Sequence, residues 1–416
     1  MSNYILAIAL ITGGISWIPI IEIGGVSIDV ENLGRLLTIV MLPLLILKNR
    51  FKMRMDSIVV VLILWIVWTA TLMHIHTGTD GIVVMRMWLV ETVFVYTTLN
   101  CNIKSITSLK VISISSVFVL SILFAISSYI AGIDLLGDTL NYIITQNRPH
   151  FLHHTLKGTF NAFIPNDANF DEIKSVIMNK VAASFALYYT ILLFMPKSTS
   201  SIINTLNNVA IGISVVFILI LFSSSSILMF LFSTILYTKT RLRQNRLGEI
   251  ILFTIIGLVF ISVTIVFLGN DIVDYLFYQI SSDENSREGR VLQYLGALKY
   301  IEGSPIFGVG YVTFGGLAVH NWLLFSWISG GVVSVLLSII IYMLIAQKVL
   351  SNKNKISNSD HNFSIYYLVL ALSFIFIIRT MVGGAGGVAS GAGMIALSIV
   401  LLLSKRNMLI KNISSE

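Results

Sequence analysis

The chain has 416 residues, of which 56% are hydrophobic and only 11% charged, against roughly 25% charged in an average soluble domain. With a mean hydropathy of +0.88, it carries more apolar surface than a water-soluble fold can hide, because surface grows almost as fast as volume. The net charge of +7 would suggest nucleic acid in a soluble chain, but cytoplasmic Lys and Arg give it a plainer source. The single cysteine, Cys101, excludes a disulfide framework and any multi-cysteine metal site. The expectation is an all-α, polytopic integral membrane protein, one transmembrane helical domain over residues 1–416, with no nucleic acid among its partners.

A spanning helix needs about 20 mostly apolar residues. Twelve segments qualify in chain order: roughly 4–20, 33–48, 57–74, 82–99, 110–131, 176–195, 204–221, 225–238, 248–268, 320–346, 363–381 and 388–404. The first lacks a basic n-region and a small-residue cleavage site, so it reads as a span and not a signal peptide. The seventh and eighth share one apolar run broken by Ser223-Ser224-Ser225-Ser226, which reads as a tight turn at the membrane surface.

Positive charge clusters in alternate connections, among them Lys48/Arg50/Lys52/Arg54, Lys239/Arg241/Arg243/Arg246 and Lys348/Lys353/Lys355, and again after the last span. The positive-inside rule then puts both termini in the cytoplasm. Two connections are long, 132–175 and 269–319, and both fall on the outside. Connections beyond about 15 residues are usually functional or disordered, and the aromatic content of these two speaks against disorder. Residues 271–280 carry Ile272, Val273, Leu276, Phe277 and Ile280 on one helical face, suited to lying on a membrane surface.

Arg35, Arg86 and Arg379 each interrupt a hydrophobic segment near its outer end. An arginine at mid-membrane costs at least ~2.5–3.5 kcal/mol on insertion scales and is normally kept for a partner. The plain alternatives are snorkelling to the outer head groups, or an internal ion pair such as Arg86 with Glu91. With Arg148, Arg287 and Arg290 on the same side, these arginines suit a cavity for a phosphate ester, which a guanidinium holds bidentately.

The densest constellation runs from Ser286-Arg287-Glu288-Gly289-Arg290 through Tyr294 and Gly303-Ser304-Pro305-Ile306-Phe307-Gly308-Val309-Gly310 to His320-Asn321-Trp322. Arg290 is expected to begin an amphipathic helix that Pro305 and the glycines end. His320-Asn321 is expected to open the next span at its outer end, where a helix N-terminus favours anions and an imidazole can exchange a proton near neutral pH. An N-cap or surface contact is the plain reading of that pair.

The stretch from Arg290 through Gly308-Val309-Gly310 to His320-Asn321, followed by an apolar span with Gly330-Gly331, resembles the core of the O-antigen polymerase/ligase superfamily (Wzy and WaaL proteins). The close match covers about 50 residues, while the twelve-span plan covers the whole chain. The resemblance implies a glycosyltransferase of the GT-C type in the bacterial inner membrane, with its active site facing the periplasm. Its donor would be an oligosaccharide repeat unit on undecaprenyl pyrophosphate, and no cofactor or metal would be needed. Membrane lipids and a chain-length regulator protein would be further partners. By position, Arg290 would contact the pyrophosphate and His320 would be the catalytic-site histidine, with Arg35, Arg86, Arg148, Lys157, Arg287, Asn321 and Arg379 around the substrate. Members often carry a Ser-Arg pair where this chain has Ser223–Ser226, and Arg148 and Arg379 are the candidates to replace that arginine. The expected activity is polymerase. Ligase transfer to lipid A core is the close alternative, and a lipid-linked oligosaccharide flippase or transporter the alternative of another class.

In the first long loop, His150, His153 and His154 lack an HExxH arrangement and any cysteine, so zinc is not expected. The glycine-rich run 383–393 reads as close helix packing, because no GxxxxGK[ST] is present.

Overall fold

The structure is a computed structural model and describes residues 2–23, 26–101, 106–141, 155–164, 171–221, 223–243, 284–312, 319, 321–353, 360–382 and 391–404. The expected span at 248–268, the surface helix at 271–280, Arg148, His320 and the three histidines of the first long loop lie outside these residues. The described elements are α1 (Ser2–Thr12), β1 (Pro19–Ile23), β2 (Val26–Asp29), α2 (Val30–Val40), α3 (Leu42–Lys48), α4 (Ser57–Thr77), α5 (Thr79–Leu99), α6 (Ile106–Ile130) and α7 (Leu135–Asn141). After a 3-10 turn at Gly158–Ala162 come α8 (Asp171–Phe194), α9 (Ser201–Leu221), α10 (Ser224–Arg243), α11 (Glu284–Gly303), α12 (Trp322–Lys353), α13 (Asp360–Val382) and α14 (Ala392–Leu403).

Among the described residues, seven helical segments are long and apolar enough to cross a membrane. The molecule is a polytopic helical membrane protein. Its first segment departs from the expected span at 4–20. The helix stops at Thr12 before Gly13-Gly14, and the chain then forms an antiparallel hairpin, Pro19 opposite Asp29 and Ile23 opposite Val26. The β-branched Ile20, Ile21 and Ile23 suit a strand, so among the described residues the fold is helical but for this one hairpin. Asp29 then caps α2, its Oδ1 accepting from the Asn32 N–H at 2.7 Å. Pro43, which has no N–H to give the ladder, separates α2 from α3.

The most enclosed spanning helix is α8. Its Ala182-Ala183-Ser184 stretch lets neighbours approach closely. Ser184 Oγ donates to the Gly13 carbonyl at 3.4 Å, and the Tyr188 hydroxyl donates to the Leu10 carbonyl. One end of the bundle is marked by an ion pair, Lys348 Nζ to Asp56 Oδ2 at 2.6 Å, where Asp56 also caps α4. The Asn100 amide clamps the Arg54 backbone at the same end.

The largest departure from expectation is α12. Residues 320–346 were expected to cross the membrane once. The chain instead folds back at Gly331, whose φ of +64° and ψ of −162° are not helical. Ser326 Oγ and Ser338 Oγ lie 2.9 Å apart, although twelve residues of straight helix would separate them by about 18 Å. The Trp322 and Tyr342 rings lie 5.4 Å apart. α12 is therefore an antiparallel hairpin with a short arm (322–330) and a long arm (332–353). Only the long arm has the length to cross. Glycine is required at the reversal because a side chain resists this backbone conformation and because a Cβ at Gly331 would collide with the Ile306 carbonyl.

Candidate functional site

Helix rise gives the depth of the short arm. From Tyr342 to Lys348 the long arm rises about 9 Å, and from Asp56 to Trp65 α4 rises about 14 Å. Trp322 packs against both Tyr342 and Trp65. The arm therefore starts about 9–14 Å above the Lys348–Asp56 pair. Asn321 was expected at the outer end of a span. It lies instead beside Trp322, at the level of Tyr342 and Trp65. Asn321 Oδ1 caps the arm, accepting from the Leu323 and Leu324 N–H groups at 2.9 and 3.1 Å. Its Nδ2 approaches Met381 Sδ at 3.7 Å, at the end of α13. Trp65, Trp88 and Trp322 pack into one buried aromatic cluster beneath it, with Trp88 and Trp322 stacked 5.4 Å apart.

Two residues before Met381 stands Arg379, 4% exposed. Its Nη1 donates to Ser225 Oγ at 3.3 Å. Ser225 lies in the first turn of α10, and its hydroxyl is 3.2 Å from that of Ser223. The Ser223–Ser226 run thus receives an arginine from α13. The first turn of a helix has N–H groups with no intrahelical acceptor and carries the positive end of the macrodipole. Arg379 and this helix head are of like sign. Among the described residues no carboxylate lies within ion-pair distance of Arg379. Ser226 Oγ and Arg379 Nε are buried and have no hydrogen-bond partner among the described residues. The arrangement is suited to an anion.

Arg35 is in a different position electrically. Its Nε donates to Glu91 Oε1 at 2.8 Å, its Nη2 is 3.6 Å from Glu31 Oε1, and its guanidinium lies 4.1 Å over the Phe94 ring. Lys180 Nζ stands 3.6 Å from Glu31 Oε2. Two carboxylates meet two cations in this quartet, so Arg35 is already compensated and is not a free cation for phosphate. Glu91 pairs with Arg35 and not with Arg86, which lies on the exposed side of α5 away from the quartet. Gly391 lies beside the quartet, where a Cβ would come within 3.2 Å of Glu31 Oε1. At its edge, burial pushes the Asp29 carboxyl up to about 6 against the opposing pull of the Asn32 N–H.

Arg287 and Arg290 both lie in α11, which starts at Glu284 and not at Arg290. Ala297 and Ile301 of α11 form a small buried cluster with Val319 and Ile328 of the short-arm region. Lys157 precedes the 3-10 turn, which is held to α6 by the Thr159 and Ser128 hydroxyls at 3.0 Å. Of the sequence-derived residues, Asn321 and Arg379 are brought to one layer. Arg35 joins a compensated cluster next to it, and Arg86 and Lys157 stand apart. Lys180 and the tryptophan cluster were not singled out as site residues from the sequence. Lys180 carried a signal, a cation inside an apolar helix. The tryptophans carried none, because helices apolar on every face give no periodicity to read.

These features define a helical membrane protein with a buried, arginine-bearing polar layer. No protein-family model matches the chain, and a search of curated proteins returns no match.

Proposed function

We propose that the protein is a membrane glycosyltransferase of the O-antigen polymerase type. It would transfer glycan from undecaprenyl pyrophosphate to a lipid-linked repeat unit at the periplasmic face of the inner membrane, in a twelve-span GT-C architecture. The observation that carries this reading is Arg379 against Ser225, a buried arginine facing a helix head with no carboxylate within ion-pair distance among the described residues. A phosphate ester offers the oxygens that both sides need, and a lipid-linked one reaches such a depth by its own tail. In the reaction the bond between the sugar and its pyrophosphate breaks as the acceptor hydroxyl bonds to the same carbon. The hydroxyl proton goes to a base near His320, and the departing pyrophosphate keeps the electron pair, stabilised by Arg379 together with Arg290.

The transporter reading is disfavoured by the α12 break. Broken helices in transporters offer freed backbone groups to the cargo. Here the Ile328 carbonyl, the Val332 N–H and the Gly330 carbonyl are taken by Val309, Ile306 and Trp68.

The test is the lipopolysaccharide banding of a deletion strain complemented with variants. A single repeat on the core marks a lost polymerase, whereas bare core with accumulated lipid-linked chains marks a lost ligase. Arg379→Ala should give the deletion phenotype at normal membrane abundance. Arg379→Lys should recover little, because an ammonium lacks the guanidinium fork. Wild-type banding from Arg379→Ala would remove this residue from the reaction.

A further inference from the structure

The turn after α11 belongs, by charge and loop length, to a long connection outside the membrane. Its contacts tie it to the membrane-spanning hairpin. In a continuous helix the Val332 N–H would bond to the Ile328 carbonyl. At the α12 break the turn inserts between them: the Val309 N–H donates to the Ile328 carbonyl at 2.7 Å, and the Val332 N–H donates to the Ile306 carbonyl at 3.2 Å. Trp327 Nε1 adds a bond to the Pro305 carbonyl at 3.0 Å. Gly308, at φ +73°, comes so close that a Cβ would strike the Ile328 carbonyl. The turn is thus fixed in height against the hairpin.

That height follows from two independent rulers. From Lys348 to Val332 the long arm rises about 24 Å, and from Asp56 to Thr77 α4 rises about 31 Å. The first ruler ends at the Ile306 bond. The second ends where the Tyr311 N–H donates to Thr77 Oγ1 at 3.4 Å. The turn therefore lies about 24–31 Å above the Lys348–Asp56 pair, at the far edge of a hydrocarbon core of about 30 Å. At that height it presents adjacent large apolar side chains, Ile306 at 58% and Phe307 at 55% exposure, with Leu295 and Leu298 of α11 also exposed. Trp327 and Tyr300 flank them, and aromatic residues with a polar tip favour the membrane interface.

We propose that residues 304–309 are a membrane-seated cap on the hairpin, with Ile306 and Phe307 in contact with the acyl chains of the outer leaflet. The occupant of the patch is lipid. The depth of the turn argues for this over a protein partner, because a partner approaching from water would have to reach the hydrocarbon edge.

The experiment needs no substrate, so its result does not depend on the glycosyltransferase reading. Phe307→Cys, and separately Ile306→Cys, is made in a Cys101→Ala background, labelled with an environment-sensitive nitrobenzoxadiazole dye, and reconstituted into phosphatidylethanolamine/phosphatidylglycerol vesicles. Emission should be blue-shifted from that of the free dye in water. Quenching by lipids with a doxyl group near the head group should exceed quenching by aqueous iodide at least threefold. Iodide quenching equal to that of the free dye would overturn the proposal by placing the turn in water. Shielding from both quenchers would overturn it by placing protein over the patch.

Discussion

Gly331→Ala tests the hairpin most directly. The substitution puts a side chain on a backbone at φ +64°, a conformation that costs a non-glycine residue of order 1–3 kcal/mol. The new Cβ would also strike the Ile306 carbonyl, so the inserted turn must withdraw. Withdrawal breaks the Val309–Ile328 and Val332–Ile306 backbone bonds, each worth about 0.5–1.5 kcal/mol. Together these give a loss of about 2–6 kcal/mol, a large part of the stability of an ordinary protein domain. Gly212→Ala is the internal control. Gly212 lies within α9, and a Cβ there meets nothing within 4 Å, so alanine should be neutral or stabilise by up to about 1 kcal/mol. Thermal unfolding in detergent, followed by tryptophan fluorescence, should show Gly331→Ala melting well below the parent and Gly212→Ala at or above it. Equal melting of the two variants would mean that the chain does not reverse at Gly331.

Three further outcomes follow from the polar layer. Glu91→Leu alone should destabilise by about 3–5 kcal/mol by leaving two cations, Arg35 and Lys180, against the single carboxylate of Glu31, and adding Arg35→Leu should recover most of it, as for other buried pairs; a double-mutant cycle in unfolding free energy measures this. Because the Asp29 carboxyl is raised to about 6 in the folded state, its contribution to stability is fully present below about 4, the unfolded value, and is lost as pH rises through 6. Asp29→Asn keeps the helix cap and should flatten the stability–pH profile between 4 and 6, as read by melting temperature against pH. If arginines carry the pyrophosphate charge, purified protein should polymerise lipid-linked repeats equally well in excess EDTA; inactivation reversed by a divalent ion would transfer that role to a metal.

Membrane residence was legible from composition, because no soluble arrangement can bury so much apolar surface. Most spanning helices were legible from run length alone, since a bilayer demands about 20 apolar residues whatever lies beside them. The glycines of the 303–310 turn and Gly330-Gly331 were visible as separate marks. Their relation was not, because a tight turn and a helix reversal satisfy each other's backbone groups only when brought together. Run length could not distinguish one crossing from a hairpin either, as 320–346 is apolar in both cases. Arginines inside apolar segments were conspicuous, but not their electrical state. Two carboxylates from α2 and α5 compensate Arg35, whereas Arg379 faces serines and a helix head. A cation's availability depends on which charges stand within a few ångströms of it, and those distances exist only after the helices pack.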